Sequence, residues 1–167
     1  MRPGSVGWWA TKIRQTKRHL LARVGAEERR AVAASLTPAQ LAVFDAMHVA
    51  DRRHGLDVMA ALRAAGETDG EVLLAGLLHD AGKGDTGLVP RVLYSLDQAG
   101  LGWPGRLARR VPGMASALDR LVAHAETSAR LAETAGCSPR TVDLIRWQDA
   151  PRDPEAGERL RLADEAS

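Results

Sequence analysis

The run Leu73-Leu74-Ala75-Gly76-Leu77-Leu78 is apolar throughout and leads directly into His79-Asp80-Ala81-Gly82-Lys83. A stretch with no wet face reads as a helix buried on nearly all sides, so the rest of the chain has to be packed around it. Its end carries a carboxylate inward. Ionised aspartate is among the residues least often buried without a partner, because removing its charge from water costs several kcal/mol. Something cationic must meet Asp80, and with an imidazole beside it a metal ion is the economical candidate. Both residues also close a helix, where unpaired carbonyls favour positive charge.

Punctuation divides the chain into helices. Thr37-Pro38-Ala39-Gln40 is a start signal, with Thr37 as cap, Pro38 in the first turn and Gln40 able to complete a capping box. A helix is expected from there to about Ala65, bent near Asp51 and ended by Gly66. Residues 71–82 form the apolar helix, closed by Gly82 and Gly84. Leu88 to Ala99 reads as helix starting near Pro90, since proline is tolerated only in a first turn. Residues 100–113, rich in Gly and Pro, read as a loop with a short helix. Further helices are expected over about 115–135, 139–149 and 154–166, the last two opened by Ser138-Pro139 and Asp153-Pro154. No alternating strand pattern, internal repeat or low-complexity linker is present, so the expected architecture is all-α.

Composition narrows the class further. A chain of 167 residues suits one domain. No run approaches the roughly 18–20 apolar residues of a membrane span. The absence of an apolar signal core and the single Cys137 point to a cytoplasmic protein. The net charge of +2 hides an asymmetry: Arg2, Lys12, Arg14, Lys17, Arg18 and Arg23 lie in residues 1–26 with no acid, leaving 17 bases and 21 acids beyond. With Trp8, Trp9, Ile13, Leu20 and Leu21, residues 1–26 read as a basic amphipathic arm, and residues 27–167 as the domain. The arm either packs its apolar side on that domain or contacts an anionic membrane or nucleic acid.

Several polar residues share stripes with apolar ones. Met47, Ala50, His54, Val58 and Ala61 follow spacings of three and four, which puts His54 on a buried face. A histidine there is either a hydrogen-bonded core residue or a ligand. His79 shares a stripe with Val72 and Ala75, and Asp80 with Leu73, Gly76 and Leu77. Asp164 follows Leu160 by four residues, and taken alone reads as a solvated carboxylate.

Their order changes that reading. A histidine (His54), a His-Asp pair about 25 residues on within Leu77-Leu78-His79-Asp80-Ala81-Gly82-Lys83, and a distant Leu162-Ala163-Asp164 together resemble the HD-domain superfamily of metal-dependent phosphohydrolases. His124-Ala125-Glu126-Thr127-Ser128-Ala129-Arg130-Leu131 is similar to the His-Pro-Glu-x-Gly-Ala-x-Leu element of the branch with His-Asp-x-Gly motifs, with Ala125 and Ser128 in place of Pro and Gly. The resemblance covers roughly residues 38–166. It implies a compact bundle of six or seven helices with one divalent ion (Mn, Fe, Co, Ni, Zn or Mg) held by His54, His79, Asp80 and Asp164. It also implies hydrolysis of a nucleotide or other small phosphorylated molecule by metal-activated water. Asp80, Lys83 and His124 are the implied catalytic residues. Asp80 ligates the ion and orients or deprotonates water, Lys83 meets the phosphoryl oxygens, and His124 protonates a leaving oxygen, binds phosphate or simply fills the core.

One departure bears on metal count. Relatives with two metals carry a histidine pair at the end of the helix that begins near Pro139, where this chain has Trp147-Gln148 and then Asp149. Neither Trp147 nor Gln148 replaces an imidazole, so a mononuclear site is expected. Arg53 and the cluster Arg106–Arg110 are candidate substrate contacts, and the stretch 84–113 is expected to overhang the site. The alternative is a non-catalytic, regulatory HD-like module that binds a metal or ligand.

Overall fold

The computed structural model describes residues 22–167. Arg23 and the start of the domain fall inside that range, whereas Trp8, Trp9 and the other arm residues up to Leu21 lie outside it. The described chain is all-α, with ten α-helices and no strand: α1 Ala26–Ala33, α2 Pro38–Ala46, α3 Val49–Ala64, α4 Gly70–Leu78, α5 Leu88–Gln98, α6 Trp103–Ala108, α7 Met114–Val122, α8 His124–Thr134, α9 Pro139–Arg146 and α10 Ala156–Ala166. A 3-10 turn over Ala81–Lys83 follows α4.

The number exceeds the expected six or seven chiefly because two long helices are broken. The expected helix to Ala65 stops at Met47, whose backbone is extended. His48 then caps α3, its Nδ1 accepting the Ala50 N–H at 3.2 Å, so the break precedes Asp51 by several residues. The expected helix over 115–135 breaks at Ala123, and His124 starts α8 as a buried residue. The apolar helix also ends earlier than expected, at Leu78, which leaves Asp80 in the link to the 3-10 turn. Asp153 Oδ1 accepts the N–H groups of Glu155 and Ala156 as a cap should, but α10 proper starts only at Ala156. The Thr37–Gln40 capping box forms as the sequence predicts.

Helix α4 is the central element. It packs against α2, α3, α9 and α10, and Val72, Ala75, Leu77 and Leu78 are fully buried. Around them lie Phe44, Val58, Leu62, Ile145 and Leu160, each contributing about 1.5–3 kcal/mol by leaving water. Helices α5, α6 and α7 pack on one another and add nothing to this cluster.

Two glycines let the end of α4 come close to its neighbours. A Cβ on Gly55 would stand 2.4 Å from the Leu77 carbonyl oxygen, so α3 and α4 touch backbone to backbone beside His54. A Cβ on Gly82 would stand 2.4 Å from the His124 carbonyl oxygen and 2.6 Å from the Ser128 nitrogen. The Gly82 N–H donates instead to Ser128 Oγ at 2.8 Å. The loop beyond is tied by Arg91 of α5, which grips both Asp51 oxygens at 2.7 Å and donates to the Thr86 carbonyl at 2.9 Å.

Two outcomes follow for stability. Gly82→Ala forces the turn off α8 and should lower unfolding free energy by about 2 kcal/mol or more in urea titrations. Asp51→Ala leaves the Arg91 guanidinium largely buried without its carboxylate and should cost about 3 kcal/mol by the same measurement.

Candidate metal centre

Three elements far apart in sequence bring the centre together. Helix α3 supplies His54, the end of α4 supplies His79 and Asp80, and α10 supplies Asp164. One ligand atom each from His54, His79 and Asp164 lies within 4.8 Å of the others, a spacing that would accommodate a metal ion among them. His54 Nε2 is 2.7 Å from Asp164 Oδ1, and His79 Nε2 is 3.4 Å from the same oxygen. The two imidazoles meet edge to face with centroids 5.2 Å apart.

The orientation of His79 is fixed from behind. Its Nδ1 lies 2.9 Å from the Gly76 carbonyl, and a carbonyl can only accept, so Nδ1 carries the proton and Nε2 is turned to the cluster. Anchoring the second ring nitrogen in this way is the usual support for a metal-ligating histidine.

Asp80 lies beside this group, not within the converging triple. Its carboxylate is about 1% exposed and is flanked by His79 at 3.5 Å, His54 at 3.9 Å, His124 at 3.7 Å and the Lys83 ammonium at 2.5 Å. Lys83 takes Oδ2. Oδ1 is buried with no hydrogen-bond partner, a costly state for a charged oxygen. Two imidazoles, an ionised carboxylate and an orphaned carboxylate oxygen form a donor set that fits a divalent ion.

Electrostatics agree with the contacts. Burial opposes the charge on Asp80, but His79, Lys83, His54 and His124 outweigh it and hold the carboxyl well below the usual range. Asp164 behaves alike: desolvation works against its charge, and the imidazoles of His54 and His79 prevail. Burial also opposes a charged His79, yet Asp80 and Asp164 push it up to about 9. The carboxylates stay ionised and gather positive charge around them. A metal ion would compete with protons for the imidazole nitrogens.

The site opens on one side. His79 and Asp80 are buried, whereas the side chains of Lys83, His54 and Asp164 are 22%, 25% and 44% exposed. Solvent reaches the cluster across Asp164 and Lys83.

His124 sits next to the cluster and does not join it. Its Nδ1 donates to the Leu121 carbonyl at 2.7 Å, which leaves Nε2 as an acceptor for the Gln148 amide N–H at 3.1 Å. Tyr94 of α5 packs its ring against His124 with centroids 6.4 Å apart, which brings the stretch 84–113 against this side. Arg53 is engaged elsewhere, pairing with Glu28 of α1 at 2.6 Å and Asp57 at 2.9 Å. In the cluster Arg106–Arg110, Arg109 pairs with Asp119, and the structure joins none of these arginines to the histidines. Trp147 stacks under Arg152 at 3.5 Å and Asp149 is exposed, whereas Gln148 is buried beside His124. Gln148 was foreseen only as a poor ligand. Its place on the stripe Thr141, Leu144, Ile145, Gln148 is the signal that would have put it inside.

No protein-family model matches the chain, and neither curated proteins nor solved structures gave a match.

The ligand set can be checked directly. Asp164→Ala and His54→Ala should each weaken Mn2+ or Zn2+ binding by more than about 100-fold in isothermal titration, since loss of even a supporting contact costs 10–100-fold. Retained affinity in both variants would remove the centre.

Proposed function

We propose that the protein is a metal-dependent phosphohydrolase of the HD type, acting on a nucleotide or another small phosphoester. The observation that carries this reading is the convergence of His54, His79 and Asp164, residues up to 110 positions apart, beside a buried Asp80 with an unsatisfied oxygen. His54, His79 and Asp164 would hold the ion, with Asp80 Oδ1 facing the same space. A divalent ion bound there supplies a Lewis acid and lowers the pKa of water toward neutrality.

The remaining tasks fall to the chain itself. Lys83 is one-fifth exposed on the open side, so its ammonium can turn from Asp80 toward an incoming phosphoryl group while keeping a favourable charge nearby. Asp80, ionised and fixed by packing, orients a nucleophilic water. His124 Nε2 lies 3.7 Å from Asp80 Oδ1 and accepts the Gln148 N–H, so it would take up a proton only once that hydrogen bond gives way.

One observation favours the second reading, a regulatory module that binds a metal or ligand without turnover. Lys83 and His124, the two groups assigned to phosphate and proton, are already satisfied by Asp80 and Gln148. Elemental analysis combined with a panel of nucleotides, p-nitrophenyl phosphate and its diester separates the readings. Hydrolysis should require metal, stop with EDTA, and fall by about 100-fold or more in Lys83→Ala. Stoichiometric metal without any phosphate release would favour the module, and protein that binds no divalent metal would sink the phosphohydrolase.

A further inference from the structure

Apolar exposure on this molecule is concentrated. Of the nine large apolar side chains exposed among the described residues, seven lie between 89 and 122: Val89, Val92, Leu101, Trp103, Leu107, Val111 and Val122. Isolated exposed apolar groups are ordinary, but contiguous ones on a soluble surface mark a contact. Five belong to α5, α6 and α7, which pack on one another away from the main core, and Leu101 and Val111 to the links on either side of α6. Trp103 and Leu107 lie one turn apart on the same side of α6, and Val111 follows at the same spacing just beyond the helix. Trp103 is 62% exposed.

Between Asp97 of α5 and Asp119 of α7 the charges have one sign. From Gln98 to Leu118 the chain holds no acid, and it holds Arg106, Arg109 and Arg110. All three are exposed. Arg109 is paired with Asp119 at 2.7 Å. Arg106 and Arg110 have no ion-pair partner among the described residues. Two arginines without an ion pair thus flank an exposed tryptophan and two aliphatic residues, with the Asp97 carboxylate near Arg106 across Gly102.

We propose that this α5–α7 face docks on an anionic lipid bilayer. Apolar side chains with a tryptophan among them enter the interfacial layer, and arginines beside them meet acidic headgroups. No described helix is long and apolar enough to cross a membrane, so the contact lies on the surface. Charge separates this occupant from two others. A second copy, meeting the face through a two-fold contact, would set Arg106, Arg109 and Arg110 against the same cations. Residues 1–21 of the chain carry five bases and no acid, so they too bear the repelling sign. A lipid surface supplies both the negative charge and the apolar phase.

The test uses the full chain and co-sedimentation with phosphatidylcholine vesicles, with and without phosphatidylserine. Binding should require phosphatidylserine and weaken as salt is raised. Trp103→Ser with Leu107→Ser, and separately Arg106→Gln with Arg110→Gln, should each lower the partition coefficient by about tenfold or more. All four side chains are exposed, and a thermal melt of each variant verifies that it folds. Absence of binding overturns the proposal. So does equal binding by wild type and both variants, which would assign the contact to another part of the chain. A concentration-dependent dimer in sedimentation equilibrium, lost in the Trp103→Ser, Leu107→Ser variant while vesicles stay unbound, would assign the face to a second copy.

Discussion

The interaction on which this structure turns is the burial of an ionised Asp80. A carboxylate that leaves water must recover several kcal/mol from its surroundings. Here the recovery comes from four cationic or polarisable groups on four elements: Lys83 from the 3-10 turn, His79 from the end of α4, His54 from α3 and His124 from α8. Those elements have to meet at one point, and much of the bundle's geometry is the means by which they do. Even so, Oδ1 remains without a hydrogen bond, so the protein's own groups leave the charge incompletely matched. A divalent ion is the simplest group that would complete it.

Close backbone contact makes the meeting exact enough to matter. Gly55 lets α3 touch the Leu77 carbonyl, which sets His54 beside His79, and Gly82 lets the turn rest on the first residues of α8, which sets Asp80 beside His124. A methyl group at either position would hold the elements apart. The Asp51–Arg91 pair then fixes where the chain leaves the site, since the same guanidinium holds Thr86 through its carbonyl. Packing and electrostatics are thus coupled: small residues make the approach, and ionic contacts fix its direction.

The excursion through α5, α6 and α7 obeys a different economy. It is held to the bundle by the Arg91 pair, by contacts of α7 with the turn and α8, and by Tyr94 against His124, and it contributes no side chain to the central apolar cluster. Ala117, Leu118 and Leu121 are buried within it, while Val89, Val92, Leu101, Trp103, Leu107, Val111 and Val122 face outward. If the phosphohydrolase and membrane proposals both hold, the surface that meets lipid and the wall beside His124 belong to the same three helices.

Much of the fold was legible in the chain, for physical reasons that can be named. The Leu73–Leu78 run has no polar face, so only a central position could accept it, and the Thr37 and Ser138 caps satisfy their own first turns whatever surrounds them. Helical spacing put His54 on the buried side, and the anomaly of Asp80 announced that positive charge would be found nearby. Breaks at Met47 and Ala123 were not legible, because apolar spacing runs straight through them and only the packing of the next helix decides the turn. Nor were the partners. Asp164 reads by spacing as a solvated carboxylate, Arg53 reads as a substrate contact although Glu28 and Asp57 hold it, and Gln148 becomes a partner of His124 only once α9 lies against α4. Periodicity and capping are local and were determined by the sequence alone. Which charges meet is set by contacts across up to 110 residues, and the tertiary structure alone decided it.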